Sequence, residues 1–165
     1  MNQFKVVPMP EAVAERIRTT LQDDFGHQLQ EVKLKSRALC RLCLQDGDMN
    51  VQKHILFSYM PVERNTNPYA EVGPVYVHDS CKEYSEKDVI PPDLKKRKYL
   101  TVRGYNTGQW LVAGVMCEGE KVEECIRRMF ENTDVQYLHI SDAMTGCFFV
   151  KVARDENRVS AVSEG

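Results

Sequence analysis

Four cysteines and two histidines stand in three separated segments of this 165-residue chain with spacings that can do chemistry. Cys40-Arg-Leu-Cys43 and His78-Asp-Ser-Cys81 each set two metal-ligating side chains three residues apart, the short interval with which neighbouring residues grip one tetrahedral ion. Cys40, Cys43, His78 and Cys81 are therefore a candidate zinc site. In a regular strand, residues three apart face opposite ways. The site thus requires a sharp turn inside Leu39–Leu44, a stretch with no glycine to ease one. The alternative is that these cysteines are small buried hydrophobes.

The third segment, Tyr137-Leu-His-Ile-Ser-Asp-Ala-Met-Thr-Gly-Cys147, supports a different chemistry. A nucleophilic cysteine needs a base or positive charge to hold it as thiolate. Cys147 follows Gly146 at a loop-to-strand junction, His139 lies on the neighbouring strand, and Asp142 could orient that imidazole. A third reading needs no reaction. Arg41, Tyr69, Tyr76 and His78, joined by His139, would line a Cys/His/Arg cleft for a small polar or anionic ligand. No Gly-rich phosphate loop and no His-Glu-x-x-His motif is present. Cys117 and Cys125 fall on apolar faces and read as core, whereas His27 and His54 have no partner visible in sequence.

The elements that must position these groups follow from hydrophobic period and turn signals. Phe4–Val7 is a short strand closed by Pro8; Val13, Ile17 and Leu21 then mark a helix that should run to Phe25-Gly26. Val32–Lys35 and Ala38–Leu44 read as strand, and the turn Gln45–Asp48 should fold the latter as a hairpin onto His54–Tyr59. A polar loop from Pro61 to Pro74 delivers the strand Val75–His78. Residues 79–98 form a second long loop, with one helical turn near Pro91–Lys96. Tyr99–Tyr105 and Trp110–Cys117 flank a turn at Asn106–Gln109. Val122, Cys125, Ile126, Met129 and Phe130 form the clearest apolar helix stripe, and Val135–Ile140 and Cys147–Val152 are the last strands. Hairpins favour an α+β fold: a mainly antiparallel sheet with two main helices packed against it. One domain should occupy residues 1–154, followed by a polar tail over 155–165.

A net charge of −2, with 42% hydrophobic and 28% charged residues, describes an ordinary globular chain. It argues against nucleic acid as a partner. The single basic cluster, Lys95–Lys98, is a solvated turn. No segment approaches the roughly 20 apolar residues that cross a bilayer, and the N-terminal residues lack a leader pattern. A cytoplasmic protein is expected. In a reducing compartment its cysteines would be thiols or metal ligands rather than disulfides. Nothing in the sequence sets an oligomeric state.

Three passages carry a family resemblance. Cys40-Arg41 with Leu44, Pro68-Tyr-Ala-Glu-Val-Gly-Pro-Val-Tyr-Val-His78, and Tyr137-Leu-His139 with Gly146-Cys147 together resemble a bacterial family catalogued as domain of unknown function 1203. The resemblance runs from about Ala38 to Arg154. It implies a shared fold unit and no particular activity.

Overall fold

Two antiparallel sheets divide the chain, each with a helix and an apolar cluster of its own. The computed structural model describes residues 4–34, 36–48, 52–62 and 67–155. In chain order the elements are β1 (Phe4–Val7), α1 (Glu11–Thr20), β2 (Glu31–Val32), β3 (His54–Tyr59), β4 (Gly73–His78), α2 (Pro92–Lys95), β5 (Leu100–Tyr105), β6 (Leu111–Cys117), α3 (Val122–Glu131), β7 (Tyr137–Asp142) and β8 (Phe148–Arg154). The larger sheet has the order β1-β8-β7-β5-β6 and the smaller β2-β3-β4. The α+β expectation holds, with the antiparallel strands shared between two sheets. None of the described helices is long and apolar enough to cross a membrane.

Helix α3 forms for the reason its pattern gives. Val122, Ile126 and Phe130 bury one stripe against Leu100, Val102, Leu138, Ile140 and Val152 of the large sheet. Helix α1 does the same for the small sheet, seating Ala14 and Ile17 with Ile55, Phe57, Val75 and Val77. Burying such side chains contributes about 1.5 to 3 kcal/mol apiece, so each sheet is held mainly by its own helix.

Three expectations are corrected. Helix α1 ends before Phe25-Gly26, because Leu21 takes the left-handed conformation and its amide closes on the Ile17 carbonyl at 3.0 Å. The chain then doubles back through a Gln22–Gln28 bridge. Second, strand β2 stops at Val32, and the expected extension to Lys35 ends on a residue outside those described. Third, Ala38–Leu44 is not a strand and makes no hairpin with His54–Tyr59; β3 pairs instead with β4, from His54 opposite His78 to Tyr59 opposite Gly73.

The doubled-back turn after α1 depends on one carboxylate. Asp23 accepts hydrogen bonds from the amides of Phe25 and His27 at 3.0 Å and of Ser58 at 2.9 Å, and it pairs with the His27 ring at 2.9 Å. Burial alone would raise its pKa, but these donors win and hold it at about 2. A carboxylate depressed below its unfolded value of about 3.9 stabilises the fold above that pH, and the contribution disappears as pH falls toward 2. The acid limb of unfolding between about pH 4 and pH 2 should flatten in an Asp23→Asn variant, measured by urea midpoints across that range.

Candidate metal centre

The segment that joins the two sheets is a turn. Cys40 makes one parallel bridge to Tyr76. The chain then reverses, the Leu44 amide donating to the Cys40 carbonyl and the Cys40 amide to the Gln45 carbonyl, each at 2.9 Å. Leu44 adopts a left-handed φ of 56°, a conformation that a non-glycine residue keeps only where its surroundings enforce it. They do so here: Leu44 is buried in the α3 cluster. The Met9 amide donates to the Arg41 carbonyl, the Arg41 amide to the Tyr76 carbonyl and the Tyr84 amide to the Leu42 carbonyl, all at 3.0 Å. The turn that the spacing requires is thus supplied by neighbours rather than by glycine.

The second pair hangs from the end of β4. His78 is the last strand residue, and the bend at Asp79 and Ser80 brings Cys81 round. Gln52 holds that bend, its side-chain amide donating to the Asp79 carboxylate at 2.6 Å and to the Ser80 carbonyl at 3.1 Å.

These two hooks bring the ligand atoms of Cys40, Cys43, His78 and Cys81 within 4.8 Å of one another. Cys40 Sγ lies 3.7 Å from Cys81 Sγ, and Cys43 Sγ lies 3.4 Å from His78 Nδ1. Bonds of about 2.3 Å to sulphur and about 2.0 Å to nitrogen give tetrahedral edges of about 3.5 to 3.8 Å. The two measured separations fall close to that range. The four groups compete for protons: hydrogen bonds from Cys43 and Cys81 favour the Cys40 thiolate, while Cys40 and Cys81 push the Cys43 thiol up. Burial lowers the His78 pKa, but the Cys40 and Cys81 sulphurs outweigh it and raise the ring to about 9. A soft dication would displace those protons and relieve the competition.

Two residues that sequence reasoning missed support the cluster. Arg18 of α1 donates through Nε to the His78 carbonyl at 2.9 Å and through a terminal nitrogen to Cys81 Sγ at 3.1 Å. Three thiolates and one dication leave one negative charge, which this guanidinium is placed to offset. Nothing in the sequence around Arg18 marks it. Gly47 was readable only as a turn residue; it has a φ of +72°, and a Cβ there would lie 2.5 Å from His78 Nε2. Its loop is pinned to the start of α2 by the Asp46 amide donating to Asp93 at 2.9 Å and by the Arg97–Asp46 ion pair. His54, fully buried, sets its ring against His78 with centroids 4.7 Å apart.

The other sequence-selected residues take separate places. Arg41, 2% exposed, donates to the Phe148 carbonyl at 2.6 Å and to the Leu39 carbonyl, and its guanidinium covers the Phe149 ring. Burial lowers its pKa to about 10, and the nearby Cys147 and Cys40 sulphurs oppose that fall. Tyr76 meets the edge of the His54 ring. Tyr69 and His139 line a different cavity of about 240 Å³, with Tyr59, Tyr105, Ser141 and Phe148. The anticipated cleft therefore divides, with His78 in the cysteine cluster and Tyr69 and His139 in this groove. Strand register places His139 opposite Lys151, while Asp142 turns its carboxylate to the amides of Met144 and Thr145 at 2.9 and 2.8 Å. Cys147 precedes β8, its carbonyl accepting from the Asp142 amide.

Two outcomes follow. Gly47→Val drives a side chain into His78 and should weaken the affinity of this donor set for added zinc roughly ten- to hundred-fold, read by competition with a chromophoric chelator. Burial, then the Lys151 and Arg103 charges, push the His139 pKa down to about 3. Glu71, paired with Arg103, and the Tyr105 and Tyr137 rings complete its surroundings. A histidine depressed below its unfolded value of about 6.5 loses the fold stability as pH falls from there toward 3. A His139→Gln variant should lack that part of the stability–pH curve in chemical denaturation.

No curated protein and no solved structure matches the chain. A family model does match, over residues 38–154, and that span contains all four candidate sulphur and imidazole ligands. The chain belongs to the family described as protein of unknown function (DUF1203).

Proposed function

We propose that this protein is a zinc-binding module in which Cys40, Cys43, His78 and Cys81 hold one ion whose main role is structural. The observation that carries the reading is the convergence of three sulphurs and one imidazole nitrogen within 4.8 Å. A soft, nitrogen-and-sulphur donor set with tetrahedral spacing suits zinc better than the oxygen-preferring cations. Four protein ligands fill the coordination sphere and leave no position for substrate. Three of the four are buried. The ion would fasten the Cys40–Leu44 turn to the end of β4.

Protein purified without nickel affinity resin should contain about one zinc per chain, measured by plasma mass spectrometry. Cys40→Ser and His78→Ala should each lose it, and a strong chelator should lower the melting temperature of the parent protein. Metal-free protein whose melting temperature is indifferent to added zinc would sink the reading.

The groove under Tyr69 favours a second role, the binding of a small polar or anionic ligand. Tyr59, Tyr69, Tyr105 and Phe148 wall it, with the hydroxyl of Ser141 and the neutral His139 ring as polar groups. Glu71 also lines the groove and is paired with Arg103 at 2.9 Å, so charge is balanced there and recognition falls to the Ser141 and His139 polar groups. Trp110 touches Tyr69 edge-on with centroids 5.9 Å apart, so ligand entry should alter its fluorescence. A screen of small carboxylates and phosphates against Trp110 emission, repeated with His139→Gln, tests this; responses equal in both proteins count against it.

A further inference from the structure

We propose that strand β6 is the surface through which two copies of this chain join, edge to edge. Among the described residues β6 pairs only with β5 and forms one border of the large sheet. Seven consecutive residues, Leu-Val-Ala-Gly-Val-Met-Cys, carry no charge and contain no proline. Soluble proteins blunt such borders with lysine, proline, a bulge or a covering loop, because the unpaired N–H and C=O groups are a template for another strand. The one bulge in this pair is at Val112, between Ala113 opposite Gly104 and Leu111 opposite Tyr105, which leaves the register regular from Ala113 to Cys117.

Helix α3 covers part of one face, where Ala113 and Cys117 pack against the core, yet Val115 stays 40% exposed on that face and Met116 64% exposed on the other. An occupant must therefore supply strand hydrogen bonds and apolar side chains above and below at once, which another strand does and a helix does not.

Several features select a second copy as that strand. Antiparallel pairing requires facing residues to present their backbones alike, so a strand paired with its own copy is centred on a residue. Pairing centred on Gly114 puts that residue on the two-fold axis, where only hydrogen atoms meet, with Ala113 opposite Val115 and the bulged Val112 at the fringe of the overlap. No like charges face each other in this register, and the pairing is isologous and closes as a dimer. The same rotation sets the two α3 helices on one face of a joined ten-stranded sheet. Beside Val115, α3 presents Met129 together with Arg128 and Glu131, whose opposite signs suit an interface that meets itself.

Light scattering during size-exclusion chromatography at about 100 µM chain, where a micromolar complex is well populated, should give twice the 19.0 kDa chain mass. Met116→Lys, a solvent-facing change, should give a monomer that still unfolds cooperatively, with a melting temperature that no longer depends on protein concentration. Separately, Gly114→Cys should form an interchain disulfide between the two substituted positions on mild oxidation, and Val112→Cys should not. A Cβ at Gly114 meets only the Val102 carbonyl oxygen at 4.0 Å, so this variant keeps the test alive if the lysine variant misfolds. A monomeric parent protein, a dimer indifferent to Met116→Lys, or equal cross-linking at 112 and 114 overturns the proposal.

Discussion

Leu39–Leu44 is where the two halves of this protein are joined. Its side chains divide between two places: Leu39 and Leu44 at its ends enter the cluster beneath α3, while Cys40, Leu42 and Cys43 between them enter the cluster beneath α1. Each sheet satisfies its own strand hydrogen bonds and buries its own apolar face, so their relation is fixed by contacts between them: the Glu71–Arg103 ion pair and the Tyr59–Phe148 ring contact fix it at the groove. The turn does so by packing into both sheets. Its two sulphurs then meet His78 and Cys81 from the end of β4. A bound ion would make this seam a cross-link between residues about forty positions apart, the kind of long closure whose fixing most reduces unfolded-chain freedom.

Charge is arranged around the seam with the same economy. Arg41 lies between the halves, its guanidinium donating to the carbonyls of Leu39 and Phe148 and covering the Phe149 ring. A buried cation is tolerable only when hydrogen-bonded in this way. Arg18 reaches the cluster from α1 and touches Cys81, the most exposed of its four residues. The two arginines differ in purpose: one ties β8 to the turn, and the other faces the sulphurs themselves.

Much of this was legible beforehand because periodicity reports burial directly. The stripe of α3, the β5–β6 hairpin and the last two strands follow from spacing that only one geometry satisfies. The two short-spaced metal-ligand pairs were readable for the same reason. Misreading began where apolar character stood in for conformation: Ala38–Leu44 is as hydrophobic as a strand because it is buried on two sides, yet it turns. The left-handed Leu44 is enforced by tertiary packing, which no local preference announces. Arg18 and Gly47 escaped because their importance lies in what approaches them from distant parts of the chain.

The family model begins at residue 38, but strand β1 and helix α1 come earlier. Cutting the chain at that boundary would strip β1 from the border of β8 and lift the lid from Ile55, Phe57 and Val77. It would also remove the only guanidinium that touches a cluster sulphur among the described contacts. The segment that the family model matches is therefore smaller than the physical unit that keeps it dry, and β1 with α1 behaves as the missing wall.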